Sequence, residues 1–154
     1  AQLDAAAALI GRHPAVPVVL NHLGKPRLGS GPAADAAELA VWRRGVAKLA
    51  ALPNAYAKLS MLGYAVPRWT EGGDREVLIA SLVRETIDAF GPHRCMFASN
   101  WWCNGHMANS DGRDDCDISM LGIWQRYFSW VEGKYSEAEI RRLTAGTAEE
   151  FYGI

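Results

Sequence analysis

The sequence predicts an α/β fold with parallel strands, and three observations predict it. Short apolar runs alternate with longer segments whose apolar residues recur at helical spacing. Long crossovers separate the strand-like runs, and parallel strands need such connections whereas antiparallel hairpins do not. The 154 residues are 49% hydrophobic and 21% charged, the ordinary composition of a globular domain. We expect a single domain over residues 1–154.

The N-terminal third contains a helix, a strand and a second helix. Residues 3–12 are typical of the end of a helix and are closed by His13-Pro14. Residues 17–21, PVVLN, are β-branched and bounded by turn residues, which indicates a buried parallel strand. A Gly/Pro/Ser-rich loop at 24–32 follows. Residues 35–51 then carry apolar positions at helical spacing: Leu39, Trp42, Val46 and Leu49.

The order of strand and helix then repeats. Residues 54–61 form the second predicted strand, and 75–90 form a helix that ends at Gly91-Pro92. Residues 94–99, RCMFAS, form the third predicted strand. Two loops, 62–74 and 100–118, follow the second and third strands.

The C-terminal region is predicted to be helical. Residues 119–131 are rich in aromatic side chains and are predicted to form a helix. Ser136 and Glu139 form a capping box that starts a helix running to about Ala145. Residues 147–152 form a last short turn.

Three parallel strands would leave two edges without partners, which is unusual for a finished domain. A complete (β/α)8 barrel takes roughly 250 residues. We therefore expect a partial barrel, with about the last three βα units and a helix of the fifth unit. The chain starts at Ala1, inside helix-like sequence and without Met, which we interpret as a cut end with the N-terminal half of the barrel missing.

Charge and cysteine content narrow the choice of partner and location. With 16 basic and 17 acidic residues the net charge is -1, so we expect a small-molecule substrate and neither nucleic acid nor a membrane as partner. The three cysteines, Cys95, Cys103 and Cys116, form no CxxC pair, which favours a reduced, cytoplasmic setting.

Candidate functional residues lie at the carboxyl ends of the predicted strands, where α/β folds place their active sites. His22 ends the first strand, Lys58 and Ser60 belong to the second, and Asn100 ends the third. We call this edge, with these four residues, the mouth. Because side chains alternate along a strand, we expect His22 to share a face with Leu20.

Each of these residues has alternative interpretations. His22 either binds a metal or a substrate oxygen, or forms a hydrogen bond with a neighbouring loop. Lys58 either holds a carboxylate or polarises a carbonyl in the mouth, or extends to solvent. Ser60 is predicted to be a hydrogen-bonding wall residue that contacts substrate, because no G-x-S-x-G motif surrounds it.

The loop after the third strand begins with Trp101 and Trp102, which we interpret as an aromatic lid that contacts substrate. Cys103 and His106 form only half a zinc site, since zinc needs three or four ligands. The loop also has an acidic run that lacks the calcium-loop spacing and is predicted to be solvated: Asp111, Asp114, Asp115 and Asp117. The remaining histidines, His13 and His93, abut proline turns and are predicted to be structural.

Five motifs occur in order: VVLNHLGKP, a helix with Trp42, LPNAYAKLS, FGPHRCMFASN and GTAEEFYGI. Together they resemble the amidohydrolase-related family of TIM-barrel, metal-dependent hydrolases, in its lactonase-like branch. The resemblance runs from about Val18 to Ile154 and implies that the strands are the sixth, seventh and eighth of the barrel. It also implies a hydrolase that acts on a small lactone or related carbonyl compound.

The resemblance implies roles for individual residues. His22 matches a histidine that is a metal ligand or substrate contact, and the metal would be one divalent ion, zinc or manganese. Asn100 stands where much of the family has an aspartate that binds metal and acts as general base. An amide cannot accept a proton at neutral pH, so metal-free operation is the alternative. Trp102 replaces a usual proline, and the family's other metal ligands precede this sequence.

The sequence leaves two further functions open. One is an amidohydrolase-related decarboxylase, and the other is a degenerate barrel that binds a small molecule without catalysis. In every case we expect the isolated segment to be inactive and its exposed strands to favour association into a homo-oligomer.

Overall fold

A computed structural model describes residues 2–100 and 118–154 of the chain. Its strands and helices alternate as the sequence predicts. The strands are β1 Val18–Leu20, β2 Ala55–Leu59 and β3 Cys95–Phe97. The helices are α1 Gln2–Ile10, α2 Pro32–Ala50, α3 Asp74–Phe90, α4 Met120–Val131, α5 Glu137–Arg141 and α6 Thr147–Tyr152.

The three strands form one parallel sheet in the order β1-β2-β3. Leu20 pairs with Ala57, and Ala57 pairs with Cys95, so these three side chains point to one face of the sheet. This face contacts the hydrophobic core that α2, α3 and α4 share with it. Lys58 pairs with Met96 on the opposite face. The α/β class with parallel strands is confirmed.

The core is built from the apolar stripes that helical spacing predicts. Trp42 and Leu49 of α2 and Ile87 of α3 are almost completely buried against Leu59 and its neighbours. The helix α2 begins at Pro32, three residues before the predicted start, because proline suits the first turn, where its missing N–H is not needed. None of the helices in residues 2–100 and 118–154 has the length and apolar character to cross a membrane.

The C-terminal region differs in detail from the prediction. The capping box of Ser136 and Glu139 is present and starts α5. The helix does not run regularly to Ala145 but widens into a π-helical segment, Arg142–Gly146, and the predicted last turn is the helix α6. The hydroxyl of Thr144 donates to the carbonyl oxygen of Ile140 at 3.0 Å inside this region, a bond that competes with the regular helical pattern.

The helix α6 contacts the face of β2 that lies opposite α2 and α3. The ring centroids of Tyr56 and Phe151 are 4.9 Å apart. The Nζ atom of Lys58 lies 5.0 Å from the centroid of the Tyr152 ring. The two faces of β2 therefore have different neighbours, and Lys58 is on the side of α6.

Candidate active site

The turn that follows β1 carries His22. A 3₁₀ segment, His22–Gly24, begins one residue after the strand, and His22 and Leu23 both have left-handed backbone angles, with φ of 58° and 54°. Such angles cost about 1–2 kcal/mol for each residue that is not glycine. The buried Leu23 side chain and a hydrogen bond of 2.6 Å from Trp42 Nε1 to the Leu23 carbonyl oxygen hold the turn in this conformation.

His22 forms a hydrogen bond with Ser60, which follows β2 and is 1% exposed. The Nδ1 atom of His22 and the Oγ atom of Ser60 are 2.9 Å apart. The side chain therefore bonds to a neighbouring loop, one of the two alternatives, and no hydrogen bond in residues 2–100 and 118–154 engages its Nε2 atom. The expectation that His22 shares a face with Leu20 is wrong, because the positive φ of His22 ends the strand alternation.

Tyr64 joins the mouth without having been identified from the sequence. It ends the 3₁₀ segment Leu62–Tyr64 after β2, and its ring centroid is 5.7 Å from that of the His22 imidazole. The Nζ atom of Lys25 lies 4.1 Å from the centroid of the same ring. The only signal in the sequence was a tyrosine shortly after a predicted strand end, which does not by itself distinguish a site residue from a loop residue.

The electrostatics of the mouth favour a neutral His22. Burial lowers the pKa of the imidazole, and the positive charges of Lys25 and Lys58 lower it further. Lys58 is half-buried rather than fully extended into solvent, and its charge reaches His22. The imidazole is therefore predominantly unprotonated at pH 7, which is the form that accepts a proton or binds a metal.

Asn100 follows β3 and forms a hydrogen bond with Met61, which follows β2. Its Nδ2 atom donates to the Sδ atom of Met61 at 3.0 Å. Like His22, Met61 and Asn100 have left-handed backbones, with φ of 49° and 51°. In the described part of the chain His22 and Ser60 share a hydrogen bond, whereas none joins Asn100 to His22 or Lys58.

Tyr127 of α4 supports the mouth from behind the sheet. Its hydroxyl donates to the carbonyl oxygen of Leu59 at 2.6 Å and lies 3.2 Å from that of Ala98. Its ring stacks on Phe97 with centroids 4.3 Å apart. Burial raises the pKa of the Tyr127 phenol, so the group stays a neutral donor that links the ends of β2 and β3. The sequence predicts the helix that carries Tyr127 but not this bond.

Several predicted site residues lie outside the described residues. These are Trp101 and Trp102, the pair Cys103 and His106, and the acidic run from Asp111 to Asp117. His13 and His93 are described and are exposed in segments that precede β1 and β3, at the amino ends of the strands. This position agrees with a structural role.

The residues that the structure describes do not form a metal centre by themselves. Among them, no three His, Cys, Asp or Glu side chains lie close enough together to hold an ion. His22 supplies one imidazole, and Asn100 supplies an amide, which is a weak ligand. A metal ion at the mouth would need further ligands from elsewhere.

The fold and the site together define a (β/α)-barrel segment whose polar residues meet at the carboxyl ends of parallel strands. The sequence model of the amidohydrolase family matches residues 1–154, and the chain belongs to this family.

Named relatives agree with this assignment. L-fucono-1,5-lactonase of Burkholderia multivorans is 36% identical over 160 residues, which cover 99% of this chain and 48% of that protein. A crystal structure of an amidohydrolase from B. multivorans with bound HEPES matches 99% of this chain and 50% of its own, with a TM-score of 0.81 and 33% identity. A second crystal form with bound zinc gives a TM-score of 0.78, also at 33% identity, over 99% of this chain and 49% of its own. The chain spans about half the length of these relatives, which makes it a partial TIM barrel.

Proposed function

We propose that a complete barrel containing this chain hydrolyses a small lactone. The observation that carries the proposal is the hydrogen bond of 2.9 Å between His22 and Ser60 at the carboxyl ends of β1 and β2, where burial and the charges of Lys25 and Lys58 lower the pKa of the imidazole. The name of the B. multivorans relative, an L-fucono-1,5-lactonase, supports the reaction class. The comparisons favour neither a decarboxylase nor a non-catalytic binder.

The reaction adds water to a cyclic ester. The water oxygen bonds to the lactone carbonyl carbon, the ring C–O bond breaks, and the ring oxygen gains a proton to become a hydroxyl group. The Nε2 atom of His22 would accept a proton from water and return it to the leaving oxygen. The Nδ1–H group would then donate to Ser60, which orients the ring. The Lys58 ammonium would stabilise the negative charge that develops on the carbonyl oxygen.

The remaining mouth residues would bind and orient the substrate. The Asn100 amide can donate and accept hydrogen bonds but cannot serve as the base, so we assign it to positioning water or a substrate oxygen. We retain Trp101 and Trp102 as proposed substrate contacts and Ser60 as part of the wall. In the metal-dependent alternative, zinc or manganese would use His22 as one ligand in place of its role as proton acceptor.

We also propose the domain organisation, the cellular location and the assembly of the protein. Residues 1–154 would form one partial barrel domain that is inactive without the rest of the barrel. Cys95 is buried as a free thiol, and burial raises its pKa, which is compatible with a reducing cytoplasm. We propose a homo-oligomer on the basis of the sheet edges.

The test is whether the complete barrel hydrolyses L-fucono-1,5-lactone, with the rate measured from the protons that the reaction releases. We expect His22→Asn to lower kcat by about 10²–10⁴-fold, because it removes the proton acceptor. His93→Asn is the matched control and should leave kcat unchanged, since His93 is exposed at the amino end of β3. Equal rates for both variants would reject the role of His22.

A second variant separates the enzyme from a non-catalytic binder. If the wild-type barrel turns over the lactone, a binder is rejected. If it does not and Asn100→Asp creates turnover, the natural protein is a binder and the proposal fails. Metal analysis of the purified barrel decides between the metal-dependent and metal-free forms.

A further inference from the structure

The four lysines of the chain fall into two groups by their partners. Lys48 pairs with the carboxylate of Asp4, and Lys134 pairs with that of Asp88 at 2.8 Å. Within the residues that the structure describes, Lys25 and Lys58 pair with no carboxylate. Lys25 lies in the loop after β1, and Lys58 lies near the carboxyl end of β2.

Each of these two lysines lies over a tyrosine ring instead. Lys25 Nζ is 4.1 Å from the centroid of the Tyr64 ring, and Lys58 Nζ is 5.0 Å from that of Tyr152. A ring face attracts a cation through its quadrupole but does not neutralise the charge. The rings therefore orient the two ammonium groups and leave their positive charge available to another partner.

The two ammonium groups lie near the same imidazole. The Tyr64 ring, over which the Lys25 ammonium lies, has its centroid 5.7 Å from that of the His22 imidazole. Lys58 precedes Ser60 by two residues, and Ser60 forms the hydrogen bond to His22. The positive charges of Lys25 and Lys58 both lower the pKa of the His22 imidazole. Within residues 2–100 and 118–154 neither cation has a carboxylate partner, and two such positive charges attract an anion.

We propose that Lys25 and Lys58 form a carboxylate-binding site at the mouth, so that the ligand is a sugar acid rather than a neutral sugar. The lactone part of this inference rests on the proposed function. Opening any lactone produces a carboxylate beside His22, and the proton released goes to solvent. The carboxylate bound by the lysines is either this product group or a second acidic group that the lactone already carries.

Calorimetric binding to the complete barrel tests the site without requiring turnover. The measurements use the His22→Asn variant, because under the proposed function this variant does not hydrolyse the lactone probes. The probes are D-galactonate, the neutral D-galactono-1,4-lactone, and D-glucaro-1,4-lactone, which has a lactone ring and a carboxylate. We expect one or both acids to bind, more weakly as salt rises, and the neutral lactone to bind at least about tenfold more weakly. Binding of galactonate identifies the product group, and binding of glucarolactone alone identifies the acidic group of the substrate.

Matched variants assign the site to the two lysines. Lys25→Gln and Lys58→Gln should each weaken acid binding about tenfold, and Lys25→Arg should retain it. Lys48→Gln and Lys134→Gln remove the same charge from lysines that already have carboxylate partners and should leave binding unchanged. Equal binding of neutral and acidic probes, or equal losses in all four glutamine variants, would overturn the inference. Because binding is measured directly, a complete barrel that does not hydrolyse lactones would reject the proposed function but not the carboxylate-binding site.

Discussion

The indole N–H of Trp42 donates to the carbonyl oxygen of Leu23 across 2.6 Å, and this bond connects the helix layer to the mouth. Trp42 belongs to α2 and is 2% exposed. Leu23 is completely buried and follows His22 in the left-handed turn. The core of the domain therefore holds the turn that presents the imidazole.

Trp42→Phe should disturb the position of His22 while keeping an aromatic side chain in the core. It leaves the Leu23 carbonyl without its donor, and we expect a loss of about 1–3 kcal/mol in the free energy of unfolding. In the complete barrel kcat should fall more than KM changes, because a misplaced imidazole affects the reaction more than binding. Trp124→Phe, a partly buried position on α4, is the control. Equal kinetic effects of the two variants would contradict the positioning role.

The charge of Lys25 should be visible in the titration of His22. Burial and the charges of Lys25 and Lys58 hold the pKa of the imidazole below its ordinary value, so Lys25→Gln should raise it. The other side chains that contact the ring are those of Ser60 and Tyr64. NMR titration of the imidazole measures the shift, with Lys48→Gln as the control that should not change it. An unchanged pKa in Lys25→Gln would show that this charge does not reach the ring.

The same shift makes stability depend on pH. The unfolded chain binds a proton at His22 at a higher pH than the folded chain does. The contribution of His22 is therefore fully favourable above the unfolded pKa of about 6.5 and is lost as the pH falls toward the lower folded pKa. Urea titrations over this range should show a smaller pH dependence in His22→Asn than in the wild type.

The Tyr127 hydroxyl should contribute to stability through a single bond. Tyr127→Phe keeps the stacking on Phe97 and removes the donor to Leu59, whose carbonyl oxygen still accepts from the Ala98 N–H at 3.2 Å. The expected loss is therefore about 1 kcal/mol in the free energy of unfolding. Tyr152→Phe is the control, because Tyr152 is 47% exposed and its hydroxyl forms no hydrogen bond within residues 2–100 and 118–154. A loss of the same size in both variants would rule out the assignment.

The edges of the sheet should drive association of the isolated chain. In residues 2–100 and 118–154, β1 and β3 each pair with β2 alone, so each has one edge without a strand partner. Unpaired backbone groups at such edges bind other strands. Light scattering of the purified 154-residue chain should show a mass that rises with concentration. A concentration-independent monomer with a sharp cooperative unfolding transition would be the opposite result.

Local patterns in the sequence predict the strands and helices and their order along the chain. The β-branched run before His22 and the helical spacing of Trp42 and Leu49 correspond to β1 and α2, and the Ser136 capping box starts α5. Parallel pairing follows from the long crossovers. These features depend on neighbours in the chain, which is why periodicity and turn residues predict them.

The sequence by itself determined the α/β class, the helix stripes, and the presence of His22, Ser60, Lys58 and Asn100 near strand ends. Tertiary structure alone decided which atoms meet there. The backbone of His22 turns left-handed because Leu23 is buried and bonded to Trp42, and this turn brings the imidazole to Ser60 rather than to the face of Leu20. Tyr64 and Tyr152 reach Lys25 and Lys58 from distant or irregular segments, and no local spacing encodes such contacts.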